Sequence, residues 1–227
     1  MHPLATIPLA QVALRWNREL AGGGEKRTKQ LRGALANAFR DDDLFHQHDL
    51  TTGKPLYRYP RVQYRWRDGK GLVIGWGDAA GRLLALPWLD LNLLLGEDPV
   101  AADDAALTLS QARFAVGERL AYYRLETPVL LFNQDNFRHY QTLDDSQQRH
   151  ERNRLLVSNM LTALRGLDVK FPERLYATFT HLQNHPCQYK GEKLLGLTGE
   201  IVTNAILPDG FSLGHAVSHG FGWMTPC

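Results

Sequence analysis

The sequence predicts an α+β fold that opens with a ferredoxin-like unit. Three observations predict it. Apolar patterning runs in the order β-α-β-β-α-β through residue 127. Asp68-Gly69 supplies a two-residue turn between two strands. The 227 residues are 44% hydrophobic, enough for one large core or two small ones and too apolar for disorder.

The elements follow in order. Ala5–Trp16, rich in Ile, Leu and Val, reads as a strand. Ala21-Gly-Gly-Gly24 is a loop, and Glu25–Phe39 a helix with Leu31, Leu35, Ala38 and Phe39 on its apolar side. Asp41–Gly53 is a polar loop. Leu56–Trp66 alternates as a strand with Val62, Tyr64 and Trp66 on one face, which sends Arg61, Arg65 and Arg67 to the other. Gly71–Ile74 returns as its hairpin partner. Ala79–Leu95 reads as a second helix, in which Pro87 must start a turn or make a break. Leu107–Thr127 closes the unit as a strand. Beyond it the periodicity is less regular. Asp144–Leu164 is a helix capped by Thr142 or Asp144, Tyr176–Leu182 a strand or short helix, and Gln188–Leu207 a hairpin turning at Gly191 or Gly199. The domain boundary falls at 130, giving domains of 1–130 and 131–227.

Composition narrows the partners. No apolar run is long enough for a membrane span, and no signal peptide opens the chain. Cys187 and Cys227 read as reduced thiols of a cytoplasmic protein. The net charge of +2 conceals an asymmetry: residues 1–70 hold 13 Lys and Arg against 7 Asp and Glu. A basic N-terminal part suits a polyanion, although uneven surface charge explains the count equally well.

The last stretch, Leu207–Trp223, has glycines at 210, 214, 220 and 222, with His215 and His219 between them. Such a loop can turn several N–H groups toward a phosphate. No long helix follows, which points to polymer phosphate rather than a nucleotide cofactor. Gly75-Trp-Gly-Asp-Ala-Ala-Gly81 has the wrong spacing for a dinucleotide fingerprint, and Ala21–Thr28 lacks the GK[ST] order of a phosphate loop. Helix–strand packing explains the former better.

Several clusters hold chemistry in principle. His46 and His48 stand two residues apart in the polar loop, and imidazole can take and give protons near neutral pH. Taken alone, they read first as two loop histidines without a role, and next as two metal ligands awaiting a third from Asp41, Asp42, Asp43 or Asp49. His181, His185 and Cys187 have ligand chemistry, but Pro186 disturbs their geometry. Arg61, Arg65 and Arg67, interleaved with Tyr57, Tyr59, Tyr64 and Trp66, combine cations with stacking surfaces as RNA binding requires. Lys190 and Lys193 flank a hairpin glycine and suit a backbone clamp or plain solvation. Arg149, Arg152 and Arg154 read as a solvated helix face.

Asn204-Ala-Ile-Leu-Pro-Asp-Gly followed by Leu-Gly-His-Ala-Val-Ser-His-Gly-Phe-Gly resembles the C-terminal glycine-rich signature of the Cas-six family of CRISPR-associated endoribonucleases. Arg32-Gly-Ala-Leu-Ala-Asn-Ala-Phe, Leu44-Phe-His-Gln-His-Asp and Tyr57-Arg-Tyr-Pro-Arg-Val-Gln-Tyr64 are similar to the N-terminal half of its b-subtype branch. The resemblance spans most of the chain. It implies two tandem ferredoxin-like (RRM-like) units side by side, the second less regular, and a cytoplasmic enzyme without cofactor or metal. Its substrate would be CRISPR repeat RNA, with other CRISPR effector or adaptation proteins as further partners. The family's active-site histidine lies in the 46–48 segment, so His46 and His48 become general acid and base. Lys29 or Arg32 would stabilise charge, Tyr57 or Tyr59 would orient the 2′-OH, and Gly214, His215, His219, Gly220 and Gly222 would hold the RNA backbone. The family more usually carries Lys or Arg at the position of His219, which would weaken phosphate binding there or make it pH-dependent. A non-cleaving subunit that holds a guide RNA, and a metal-dependent nuclease built on the aspartates, are the alternatives.

Overall fold

The computed structural model describes residues 4–45 and 59–227. The fold is α+β and built from two ferredoxin-like units. The first comprises Ile7–Ala112 with Ser218–Gly220; the second comprises Arg113–Val217 and Phe221–Cys227 with the start of the first strand.

In the first unit β1 (Leu4–Trp16) leads to α1 (Gly24–Ala38), then to β2 (Val62–Arg67) and β3 (Lys70–Trp76). Next come α2 (Asp78–Leu84), β4 (Asn92–Leu95) and the long β5 (Asp98–Leu125), whose residues to 112 belong here. The strands lie in the order β2-β3-β1-β5 and β4 hairpins onto the start of β5. The register is set by burial: Val12 opposes Val73, and Tyr64 opposes Val73 from the other side. These side chains join Leu14, Leu31, Leu35 and Leu83 in one core. Trp66 is stacked on Trp16, their rings parallel at 5.8 Å. Gly75 lies where any Cβ would meet Leu83 at 2.7 Å, so its role is to admit α2 onto the strand.

The expected helix over 79–95 is three elements. α2 stops at Leu84, a single turn covers Trp88–Asp90, and Asn92–Leu95 is extended. Leu93 and Leu95 are buried and Leu94 is exposed, the alternation of a strand.

The second unit takes β5 from residue 113, then α3 (Gln134–Gln141), α4 (Asp145–Gly166), β6 (Ala177–Tyr189), β7 (Glu192–Ile206) and β8 (Met224–Pro226). Its strand order is β8-β5-β7-β6. With β4, which pairs only with the start of β5, set aside, the strands numbered within each unit lie in the order 4-1-3-2 in both. The β6–β7 turn is at Lys190-Gly191, both at positive φ, the two-residue hairpin geometry. Among the described residues no helix is long and apolar enough to cross a membrane.

Candidate nucleic-acid interface

Both ends of the histidine-bearing segment are held in the first unit. His46, His48 and Tyr57 themselves lie outside the described residues. On the incoming side Phe45 is 2% exposed and its ring packs 4.7 Å from Phe39, which also meets Trp88 edge-on. The Asp42 carboxylate accepts from the Leu44 N–H and pairs with Arg82 at 2.8 Å. On the outgoing side Tyr59 is buried at 7% exposure, the Gln63 side chain donates to the Pro60 carbonyl, and Arg61 pairs with Asp78 at 2.8 Å. Burial works to raise the Asp78 pKa, but the Arg61 hydrogen bond and charge, with backbone N–H groups, outweigh it and hold the carboxyl below its ordinary range.

The basic residues expected around the histidines are spread among different environments. Lys29 pairs with Glu25 at 2.6 Å along the face of α1. Arg32 is half-buried, and its charge acts on Tyr64, whose phenol is pushed up chiefly by burial. The alternation of β2 predicts Arg61, Arg65 and Arg67 on a wet face, and this needs correction. Both faces of β2 are covered from Val62 to Arg65, so Arg65 is only 5% exposed. Arg67 is exposed, 3.5 Å from Asp68.

The glycine stretch folds back on itself. Leu213 N–H donates to Gly222 O, Met224 N–H to Phe211 O and Gly210 N–H to Met224 O. His215 N–H donates to Leu130 O, and Gly222 N–H to Pro128 O. The N–H groups of Gly210, Leu213, His215 and Gly222 are therefore committed to protein carbonyls rather than turned toward a ligand. The glycines permit close backbone contact instead. A Cβ at Gly222 would fall 1.8 Å from Leu213 O, and one at Gly214 2.6 Å from Leu130 O. The tip, Ser218–Gly220, packs within the first unit: a Cβ on Gly220 would come 2.8 Å from Thr28 Cγ2. His219 thus stands beside α1, the helix that carries Lys29 and Arg32.

The His215 side chain reaches solvent, yet desolvation by its surroundings lowers its pKa, and a backbone hydrogen bond with Leu131 offsets part of that. In the same unit Tyr189 meets Phe221 edge-on, with ring centres 6.3 Å apart, and Leu130, Cys187, Leu194 and Ala216 complete the cluster. The Lys190 ammonium lies 5.5 Å from the Tyr189 ring centre. Sequence reasoning held the hairpin lysines and the glycine stretch as separate features; this apolar cluster ties the Tyr189–Lys190 end of the hairpin to the stretch that carries His215, while Lys193, paired with Gln188, lies on the other face of the hairpin.

The other clusters are structural. Among the described residues no three His, Cys, Asp or Glu side chains converge as metal ligands. His181, His185 and Cys187 lie on a strand, not a helix, and Cys187 is buried with its thiol directed to the His185 carbonyl. Arg154 is bound to Glu151 through two hydrogen bonds, and Arg152 donates to the Tyr140 hydroxyl.

Comparison with known proteins places this geometry. Two solved structures agree with it over nearly the whole chain: one described as Cas6b, at TM-score 0.86 and 21% identity over 98% of this chain and 100% of that one, and one described as the CRISPR RNA processing endoribonuclease Cas6b, at TM-score 0.74 and 21% identity over 97% of this chain and 100% of that one. A type IV Cas6 crRNA endonuclease, Csf5, matches at TM-score 0.60 and 12% identity over 98% of this chain and 100% of its own. An uncharacterized protein of Methanocaldococcus jannaschii is 31% identical over 109 residues, 48% of this chain and 74% of that protein. The Cas6b N-terminal domain model matches residues 5–112 and the Cas6b C-terminal domain model residues 115–227. Covered by both halves of one family's description, the chain belongs to the Cas6b family.

Proposed function

We propose that this protein is an endoribonuclease that cuts CRISPR repeat RNA in precursor transcripts, without a metal. The observation that carries the reading is the match of both Cas6b domain models, one over each ferredoxin-like unit. In the reaction, the 2′-OH before the scissile bond attacks the adjacent phosphorus as the P–O5′ bond breaks. One of His46 and His48 takes the 2′-OH proton and the other gives a proton to the leaving 5′-oxygen, so no proton is gained or lost overall. The products are a 2′,3′-cyclic phosphate and a 5′-OH. The nucleophile already sits on the substrate, so the site needs proton transfer and charge stabilisation, not an activated water.

Arg32 or Lys29 stabilises the charge on phosphorus in the transition state. Tyr59 is buried, which favours Tyr57 for orienting the 2′-OH. In the second unit Lys190 and His215, with Lys193 on the other face of the hairpin, hold the RNA backbone, and in the first unit His219 beside α1 does so. Other CRISPR proteins then receive or share the product.

The test incubates the protein and its own genomic repeat transcript in excess chelator, beside transcripts carrying a single 2′-deoxy nucleotide. One defined cut, abolished by one deoxy substitution and by alanine at both His46 and His48, is the expected result. Binding without any cut makes the protein a guide-holding subunit. Cutting that returns only with a divalent ion removes the mechanism.

A further inference from the structure

A cavity of about 600 Å³ opens in the second unit between α4 and the beginning of β6. One wall is a single face of α4: His150, Asn153, Arg154 and Val157 follow the i, i+3, i+4, i+7 spacing. The helix turns Leu156, Met160, Ala163 and Leu164 into the core instead. The other wall is Arg174 and Tyr176. Their backbone is clamped: Asn204 accepts from the Tyr176 N–H at 2.8 Å and donates to the Arg174 carbonyl at 2.9 Å, while the Thr203 hydroxyl donates to the Tyr176 carbonyl at 2.6 Å. From this fixed platform the Tyr176 ring stands 57% exposed, with the Arg174 guanidinium 5.4 Å from its centre. Leu120, 56% exposed, enters from the irregular stretch where the β5–β7 register shifts.

The chemistry of this groove selects a ligand. Its floor is apolar and its rim carries His150, Arg174 and Arg154, the last already paired with Glu151. With the Arg174 guanidinium over one face of the exposed Tyr176 ring, the other face is a stacking platform for a planar base, and Arg174 suits the attached phosphate. Asn153 has both donors and an acceptor for a base edge. The volume is that of a small-ligand site and accommodates a nucleotide or two. Bases in a duplex hide their faces, so the platform discriminates for unpaired strand. We propose that this groove is an RNA subsite, separate from the glycine stretch, that takes one or two unpaired nucleotides of the bound strand. The inference rests on the RNA-processing reading above.

The test uses the full chain as wild type, Tyr176→Ala, Arg174→Ala and Tyr176→Phe. The probes are labelled oligouridylate and its duplex with oligoadenylate. Tyr176→Ala should weaken single-strand binding about tenfold, Tyr176→Phe should restore it, and the duplex should be indifferent to all three. Photocrosslinking of wild-type protein with 4-thiouridine in the strand should map to residues 174–178, a readout that needs no variant to fold. Unchanged single-strand affinity in the alanine variants, or equal losses for strand and duplex, overturns the proposal. If that happens while the wild type still cuts its repeat transcript, the groove inference alone fails, and an acidic peptide becomes the ligand to seek. If the wild type neither binds nor cuts RNA, the functional reading fails and takes the groove with it.

Discussion

Gly222 shows how one residue fixes the candidate interface. Its φ is +68° and its absent Cβ would sit 1.8 Å from a backbone oxygen, which cannot swing aside as a side chain can. Gly222→Ala should therefore cost about 3 kcal/mol or more in denaturant unfolding, combining left-handed strain with a clash. Gly191→Ala, at φ +83° with open space around it, should cost about 1 kcal/mol. Equal losses would mean that close packing at Gly222 contributes nothing. His215 gives a pH dependence whose sign follows from its lowered pKa. The unfolded chain binds the proton first, so stability falls as pH drops through the ordinary value of 6.5 toward the depressed folded one. His215→Gln should flatten that part of a stability-against-pH profile; an unaltered slope would assign it to other groups. The sequence makes the glycine positions legible because the residue type itself reports an unusual backbone. It does not reveal whether the freed N–H groups face solvent or protein, since that depends on carbonyls at 128, 130, 222 and 224 that only the fold brings near.

Local chemistry is most legible where an element carries its own punctuation. Asp144 accepts from the Gln147 N–H while the Gln147 side chain returns to the Asp144 N–H, a complete capping box. Asp144→Ala should lower stability by about 1 kcal/mol, and Gln147→Ala by less; a thermal melt that leaves Asp144→Ala unchanged would show the helix start held by packing alone. The neighbouring α3 had a weaker sign, Asn133 accepting from the Asn136 N–H, and was missed because eight residues hold barely two turns of periodicity. Leu91–Leu95 misled in the opposite way. A run of leucines satisfies a helical stripe and an alternating strand equally, and pairing of Leu94 with Pro99 decides the matter. Arg65 misled for a related reason: alternation sorts the two faces of a strand but does not say that one is wet.

Across the whole molecule the units share one strand order and one strand. β5 supplies the fourth strand of the first sheet up to residue 112 and the first strand of the second from residue 113. Periodicity alone reads such a strand as the end of a domain and places the boundary after it, at 130, because nothing in its pattern marks a change of partner. Charge is divided differently from fold. Residues 113–227 hold 12 Lys and Arg against 11 Asp and Glu, so the second unit is close to neutral and has no strong general positive field to attract RNA. On the proposed function, phosphate contacts from this unit would then be local, made by particular cations such as Lys190 and Lys193 at the hairpin tip. This separates two explanations of affinity by experiment. If those lysines each neutralise a phosphate, removing both should reduce the slope of log affinity against log salt by about 1.4 for single-stranded RNA, as fewer counterions are released. If RNA is held by diffuse charge from the basic N-terminal region, the double variant Lys190→Ala/Lys193→Ala will retain the wild-type slope across a salt titration. A retained slope would detach the hairpin from the interface, whereas the predicted loss would tie RNA to the hairpin tip.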